Sequence, residues 1–261
     1  MNRLTQLFNT KKTNLLNVYF TAGYPQLDST VPIITTLAAA GADLIEVGVP
    51  YSDPMADGET IQRSSMQALQ NGMKLDLLFD QLTQARQQTE VPLVMMGYFN
   101  QVMQYGPERF CRAASDAGVD GLILPDLPVF EYEQEFRAIA ERYDLQVTFL
   151  ITPQTSDERI RKIGELSTGF LYVVSSSSIT GSSSGISEAQ KAYFARIAAL
   201  DLPQPRLIGF GISDAESFRT ACRYANGAII GSAFIRALKD QEDVEAATRR
   251  FVAGILEPAA V

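Results

Sequence analysis

Eight short apolar runs recur along the chain, each parted from the next by amphipathic sequence. This alternation restricts the fold more than any other feature. The runs lie near 15–21 (Leu-Leu-Asn-Val-Tyr-Phe-Thr), 43–49, 92–98, 121–126, 146–152, 169–175, 206–211 and 227–231. They are near-continuous and rich in Val, Ile, Leu and Phe, as strands buried on both faces of a parallel sheet must be. Between them, periodicity predicts helices over 31–40, 131–143, 158–166, 189–200 and 215–224. Right-handed crossovers wind every strand the same way, so eight such units close into an α/β fold, a (β/α)8 TIM barrel. The opening residues are expected to add an extra N-terminal helix. No Pro/Gly/Ser linker divides the 261 residues, so the whole chain, 1–261, reads as a single barrel domain.

Local signals support this alternation. Gly-Ala-Asp at 41–43, Gly-Val-Asp at 118–120 and Asn-Gly-Ala at 226–228 read as glycine C-caps turning into strands. Thr155-Ser156-Asp157-Glu158 and Ser213-Asp214-Ala215-Glu216 read as helix N-termini with acidic first turns.

Composition narrows the chemistry. A net charge of −8 argues against nucleic acid or an anionic membrane as partner. No 18-residue apolar run and no secretory leader are visible, which predicts a cytoplasmic protein. Cys111 and Cys222 fit no metal or redox spacing and read as two reduced thiols on helices. The chain has no histidine. Proton transfer near neutral pH therefore falls to carboxylates, tyrosines, lysines or cysteines. The acidic residues show no spacing for a metal site, and no lysine stands near a strand's C-terminal end for Schiff-base chemistry.

In such a barrel the active site lies at the C-terminal ends of the strands. The stretch Leu44-Ile45-Glu46-Val47-Gly48 places a carboxylate inside a buried strand. With period two, Leu44, Glu46 and Gly48 share one face and Ile45, Val47 and Val49 the other. The apolar set must meet the helices, so Glu46 points into the barrel. Burial should raise its pKa toward neutrality, which suits a group that both gives and takes a proton. Asp57 follows in the proline-stiffened loop Pro50-Tyr51-Ser52-Asp53-Pro54-Met55-Ala56-Asp57-Gly58. It reads either as the N-cap of the next helix or as a second site carboxylate. Asp53 reads as a turn former. Tyr172, in the sixth run, and Tyr98, at the top of the third, read either as core aromatics or as hydroxyls facing the cavity.

The last two strands carry a different signal. Gly209-Phe210-Gly211-Ile212-Ser213 and Gly231-Ser232-Ala233 let backbone N–H groups approach an anion where such barrels usually cradle phosphate. Gly181, in the serine-rich loop after the sixth strand, could close over the same group. These features predict a small phosphorylated substrate.

Taken in order, several segments resemble the tryptophan synthase alpha subunit family. They are Phe20-Thr21-Ala22-Gly23-Tyr24-Pro25, the Glu46 to Gly58 stretch, Asp126-Leu127-Pro128, Ile179-Thr180-Gly181 and the two glycine turns. The Pro-Tyr-Ser-Asp-Pro-Met-Ala-Asp-Gly segment is the most specific of these. The resemblance implies a lyase that splits indole-3-glycerol phosphate into indole and glyceraldehyde 3-phosphate, with no cofactor in this chain. It implies Glu46 as general acid and base, and Asp57 as the carboxylate balancing charge at the indole N–H. Tyr172 and Tyr98 would line the substrate site. Thr180 would order Asp57 on loop closure, and Gly181, Gly211, Gly231 and Ser232 would hold the phosphate. The implied partner is a beta subunit using pyridoxal phosphate in an alpha2-beta2 assembly, coupled allosterically through the 50–57 and Thr180 loops. Ser178 and the polar Ser182-Ser183-Ser184 depart from the family's usual loop. Two other readings fit the sequence less well: a sugar-phosphate isomerase or epimerase, disfavoured by the missing histidine, and a non-catalytic barrel that only activates a partner, against which the intact Glu46 and Asp57 speak.

Overall fold

The computed structural model describes residues 1–175, 186–209 and 211–257. In chain order, α1 (Arg3–Thr10) precedes β1 (Leu15–Thr21), and α2 (Thr30–Ala40) leads to β2 (Leu44–Gly48). A helix pair, α3 (Glu59–Gln70) and α4 (Leu75–Arg86), leads to β3 (Leu93–Met96). A second pair, α5 (Phe99–Tyr105) and α6 (Pro107–Asp116), leads to β4 (Gly121–Ile123). Then come α7 (Val129–Glu131), a π turn (Tyr132–Phe136), α8 (Arg137–Arg142) and β5 (Gln146–Ile151). The last units are α9 (Asp157–Leu166), β6 (Leu171–Val174), α10 (Glu188–Ala199), β7 (Arg206–Gly209), α11 (Ala215–Cys222) and β8 (Gly227–Ile230). Two further helices, α12 (Ser232–Leu238) and α13 (Val244–Leu256), follow. The strands pair in sequence order, all parallel, and β8 returns to β1 to close the barrel.

Strand parity sorts the core into two layers. Leu16, Val18, Phe20, Ile45 and Val47 face outward and pack under the helices. Leu15, Tyr19, Leu44, Val94, Ile123, Tyr172, Leu207 and Ile229 fill the interior. The expected N-terminal helix plugs the lower end: Leu4 and Phe8 of α1 join the interior cluster, and the Phe8 ring lies 5.8 Å from Phe170. Asn2 and Arg3 tie α1 down. Asn2 Nδ2 donates to the Asp120 carbonyl at 2.9 Å, and the Arg3 guanidinium meets the nearly buried Asp120 carboxylate at 3.3 Å.

Three expectations need correction. The stretch 131–143 is two short helices about a π turn. Its buried residues Tyr132, Phe136 and Ala140 recur every four positions, and a wider turn cancels the drift of that spacing around an α-helix. Two of the intervals hold helix pairs rather than single helices. The expected strand over 121–126 stops pairing after Ile123, because Pro125 has no N–H to give.

The glycine signals divide. Gly41 and Gly118 adopt left-handed backbone at helix ends, as expected, with φ of 104° and 80°. Gly227 does not turn a helix; it opens β8, and a Cβ there would run into the Leu15 backbone on the neighbouring strand. Backbone cannot move aside as a flexible side chain can. Gly227→Ala is therefore expected to strain the β1–β8 seam and cost roughly 3 kcal/mol. Thermal unfolding should fall by several degrees; an unchanged Tm would show that the seam has slack.

Candidate active site

Glu46 lies mid-β2, pointing inward as parity requires, and is fully buried. Its only hydrogen bond among the described residues comes from Asn17 on β1, whose Nδ2 donates to Oε2 at 2.9 Å. Oε1 has no partner among those residues. Loss of water pushes the Glu46 pKa up to about 8; the Asn17 bond opposes this, and the charge of Asp57 adds to it.

Asp57 reaches the same interior from the loop after β2. The loop is shaped by local turns, with Asp57 N–H donating to Pro54 O at 3.0 Å. It is also clamped to the segment after β3. Gln101 Nε2 donates to Pro50 O at 2.9 Å, and the Tyr51 ring stacks on Tyr98 at 4.9 Å. The Tyr98 hydroxyl accepts from Ala56 N–H at 2.9 Å and donates to Asp57 Oδ2 at 3.0 Å. Oδ1 of Asp57 stays without a partner among the described residues.

Asp57 does not cap a helix. The N-cap of α3 is Gly58, and the Asp57 side chain turns to Tyr98 instead. Nor is it well solvated, as a loop position suggests: it is only 5% exposed. Burial raises its pKa to about 6, against the lowering effect of the Tyr98 bond. Asp57 is the stronger acid because it starts from a lower ordinary value and is less completely buried than Glu46, whose pKa the Asp57 charge raises further; each carboxylate has one hydrogen bond that lowers its pKa.

Two tyrosines wall the interior beside these carboxylates. Tyr19 of β1 and Tyr172 of β6 are buried, and loss of water together with nearby Glu46 and Asp57 raises both phenol pKa values far above normal. Tyr172 thus faces the barrel interior. Two glycines make room for the rings. A Cβ on Gly48 would collide with the Tyr19 hydroxyl, and one on Gly209 with that of Tyr172. Ring packing is therefore enough to require glycine at 209. Gly211 differs: its φ of +77° is left-handed, and a Cβ there would find open room, its nearest neighbour being Ser175 Oγ at 3.8 Å. Gly231 lies against the Tyr19 ring and Ser232 opens α12. Thr180, Gly181, Ser178 and Phe210 lie outside the described residues.

Asn17 and Tyr19 were not singled out from sequence, yet they flank Glu46. The signal was present: in Leu15-Leu16-Asn17-Val18-Tyr19-Phe20-Thr21, the two share the face of Leu15 and Thr21. A polar amide on the inward face of a strand is as notable as a carboxylate there.

A buried acid of high pKa and a clamped acid of lower pKa, each with one oxygen unpartnered among the described residues, have the properties that acid–base chemistry requires. A sequence model described as tryptophan synthase alpha chain matches residues 4–257. The chain belongs to the tryptophan synthase alpha chain family. Among its relatives, the alpha chain of Flavobacterium johnsoniae is 56% identical over 240 residues, covering 92% of this chain and 94% of that one. That of Bacteroides fragilis is 49% identical over 253 residues, covering 97% and 96%. Solved structures agree. A chain of the tryptophan synthase complex from Pyrococcus furiosus superposes with a TM-score of 0.86 at 33% identity, covering 95% of this chain and 99% of that one. One from M. tuberculosis tryptophan synthase in its aminoacrylate-bound form gives 0.83 at 33% identity, covering 98% and 100%. The family match runs over residues 4–257, and the loop carrying Asp57 falls inside it.

Proposed function

We propose that this chain is the lyase subunit that cleaves indole-3-glycerol phosphate to indole and glyceraldehyde 3-phosphate in tryptophan biosynthesis. The observation that carries the reading is the split pair, Glu46 near 8 and Asp57 near 6, with an unpartnered oxygen on each. At neutral pH Glu46 holds its proton and Asp57 is largely ionised.

The reaction follows from those two states. Glu46 gives its proton to indole C3, and the ring takes positive charge at the N–H. Asp57, ionised, balances that charge. The carbon–carbon bond then breaks with its electrons returning to the ring. The carboxylate of Glu46 takes the proton of the side-chain hydroxyl, which becomes the aldehyde. Glu46 ends protonated, ready for another turnover. Tyr19 and Tyr172 supply flat apolar walls for the indole. By resemblance, and by the glycine turns after β7 and β8, Gly211, Gly231 and Ser232 would hold the phosphate, with Thr180 and Gly181 serving loop closure and phosphate contact.

The partner is a beta subunit carrying the pyridoxal phosphate, in an alpha2-beta2 assembly of the cytoplasm. Three large apolar side chains support a contact on this face. Met55, Met103 and Phe130 are 87%, 53% and 67% exposed. They follow the C-terminal ends of β2, β3 and β4, three adjacent strands, and so share one sector of the barrel's upper face. The Asp57 loop lies in the same sector, where a partner could press on it.

The decisive test is indole release by the purified chain, alone and with a beta subunit, as a function of pH. Slow release alone and faster release with the partner are expected. The rate should trace a bell. It falls below about 6 as Asp57 gains a proton and above about 8 as Glu46 loses its own. No release from folded protein in either condition would sink the reading.

A further inference from the structure

We infer that Asn17 is a positioning residue that fixes which oxygen of Glu46 carries the acid proton. The inference rests on the acid role proposed for Glu46. Asn17 Nδ2 donates to Oε2 at 2.9 Å, so Oε2 is engaged as an acceptor. The proton of the neutral acid is therefore held on Oε1. That oxygen has no partner among the described residues and lies in the barrel interior with Glu46's other neighbours. The proton is thus left without a protein partner among the described residues, free to be given up, and the same bare oxygen is free to take a proton back.

The surroundings of Asn17 fit this role better than a packing role. Asn17 and Glu46 are both fully buried. Asn17 Oδ1 has no partner among the described residues, so the bond to Glu46 is the amide's one described contact. A leucine of nearly the same shape would fill the space without burying an unsatisfied carbonyl. An amide kept there at that expense is kept for what its N–H does. The titratable groups around Glu46 are Tyr19 of the same strand as Asn17, Tyr172 of β6 and Asp57 of the loop after β2. The two phenols stay neutral across the working range, and Asp57 raises the Glu46 pKa. Among these neighbours Asn17 supplies the hydrogen bond that favours the ionised form.

Asn17→Leu tests this. The carboxyl of Glu46 is followed by infrared difference spectroscopy in the unliganded protein, with Glu46→Gln assigning its band. Loss of the donor should move the Glu46 titration upward by about one unit and shift the protonated C=O stretch to higher wavenumber. The alkaline limb of kcat/KM should rise by the same amount. At pH 7, kcat should drop roughly tenfold with KM little changed, because the proton is then shared between both oxygens. Asn17→Ser, with a shorter donor, should restore part of both shifts and guards against a fold defect in the leucine variant. An unmoved titration and C=O band in folded Asn17→Leu overturns the inference. Because the infrared titration needs no substrate, it decides the question even if the chain fails to release indole, a result that would count against the proposed reaction instead.

Discussion

Glu46→Gln is expected to lower indole release by roughly 10³-fold, within the usual range for removing a general acid–base. The glutamine keeps the size of the side chain and an acceptor for Asn17 Nδ2, so binding of the phosphorylated substrate should survive. Stability should move the opposite way. Glu46 binds its proton more tightly folded, at about 8, than at its ordinary value of 4.5. The folded state is therefore fully favoured below about 4.5 and loses stability as pH rises through 8. At pH 7 that penalty is on the order of 3 kcal/mol, and the neutral glutamine removes it. Urea titration at pH 7 and pH 5 measures both ends. The variant should be the more stable protein at pH 7, and its advantage should shrink at pH 5. A loss of activity accompanied by lost stability at pH 7 would instead mean that Glu46 holds the barrel together. Unchanged indole release would revive the reading of a non-catalytic barrel that only activates its partner.

Much of this molecule was legible in its sequence, and the exceptions have physical causes. The barrel could be read because parallel strands covered by helices must be apolar throughout, a pattern that survives without knowledge of any contact. Glu46 could be read for the same reason: a lone charge in such a strand has nowhere to point but inward. Asp57 could not be settled, because Asp-Gly-Glu at a loop end is equally the start of a helix. What decides it is Tyr98, 41 residues further along, whose hydroxyl takes the side chain away from the helix. No local signal carries that information. Gly209 and Gly227 are opaque for a related reason. What requires glycine there lies across the sheet, the Tyr172 ring and the Leu15 backbone. Glycine in a turn motif and glycine under a neighbouring strand look the same in one dimension. Asn17 is less conspicuous although its parity is plain, because a neutral amide costs less to bury than a charge and so marks an inward face less sharply.

Asp57→Asn is the second large effect, expected at about 10² to 10³-fold in kcat, the usual cost of losing one preorganised electrostatic group at a developing charge. The amide can still accept from Tyr98, so the loop should keep its clamp and the loss should fall on the rate more than on KM. The pH profile separates this role from a purely structural one. Asp57 is the group assigned to the acid limb near 6, so the limb should vanish in the asparagine variant and leave a flat residual rate down to about pH 5. Tyr98→Phe makes the complementary test. It removes the donor that holds Asp57 toward its ionised form, so the limb should persist but move upward, toward neutrality. It also frees Ala56 N–H, and a further loss of up to tenfold in kcat is expected from a looser loop. The two changes meet at one carboxylate, so their combination should cost little more than Asp57→Asn alone. Additive losses would show that Tyr98 acts on the reaction by a route that does not pass through Asp57. An acid limb still at 6 in Asp57→Asn would remove the aspartate from the chemistry altogether.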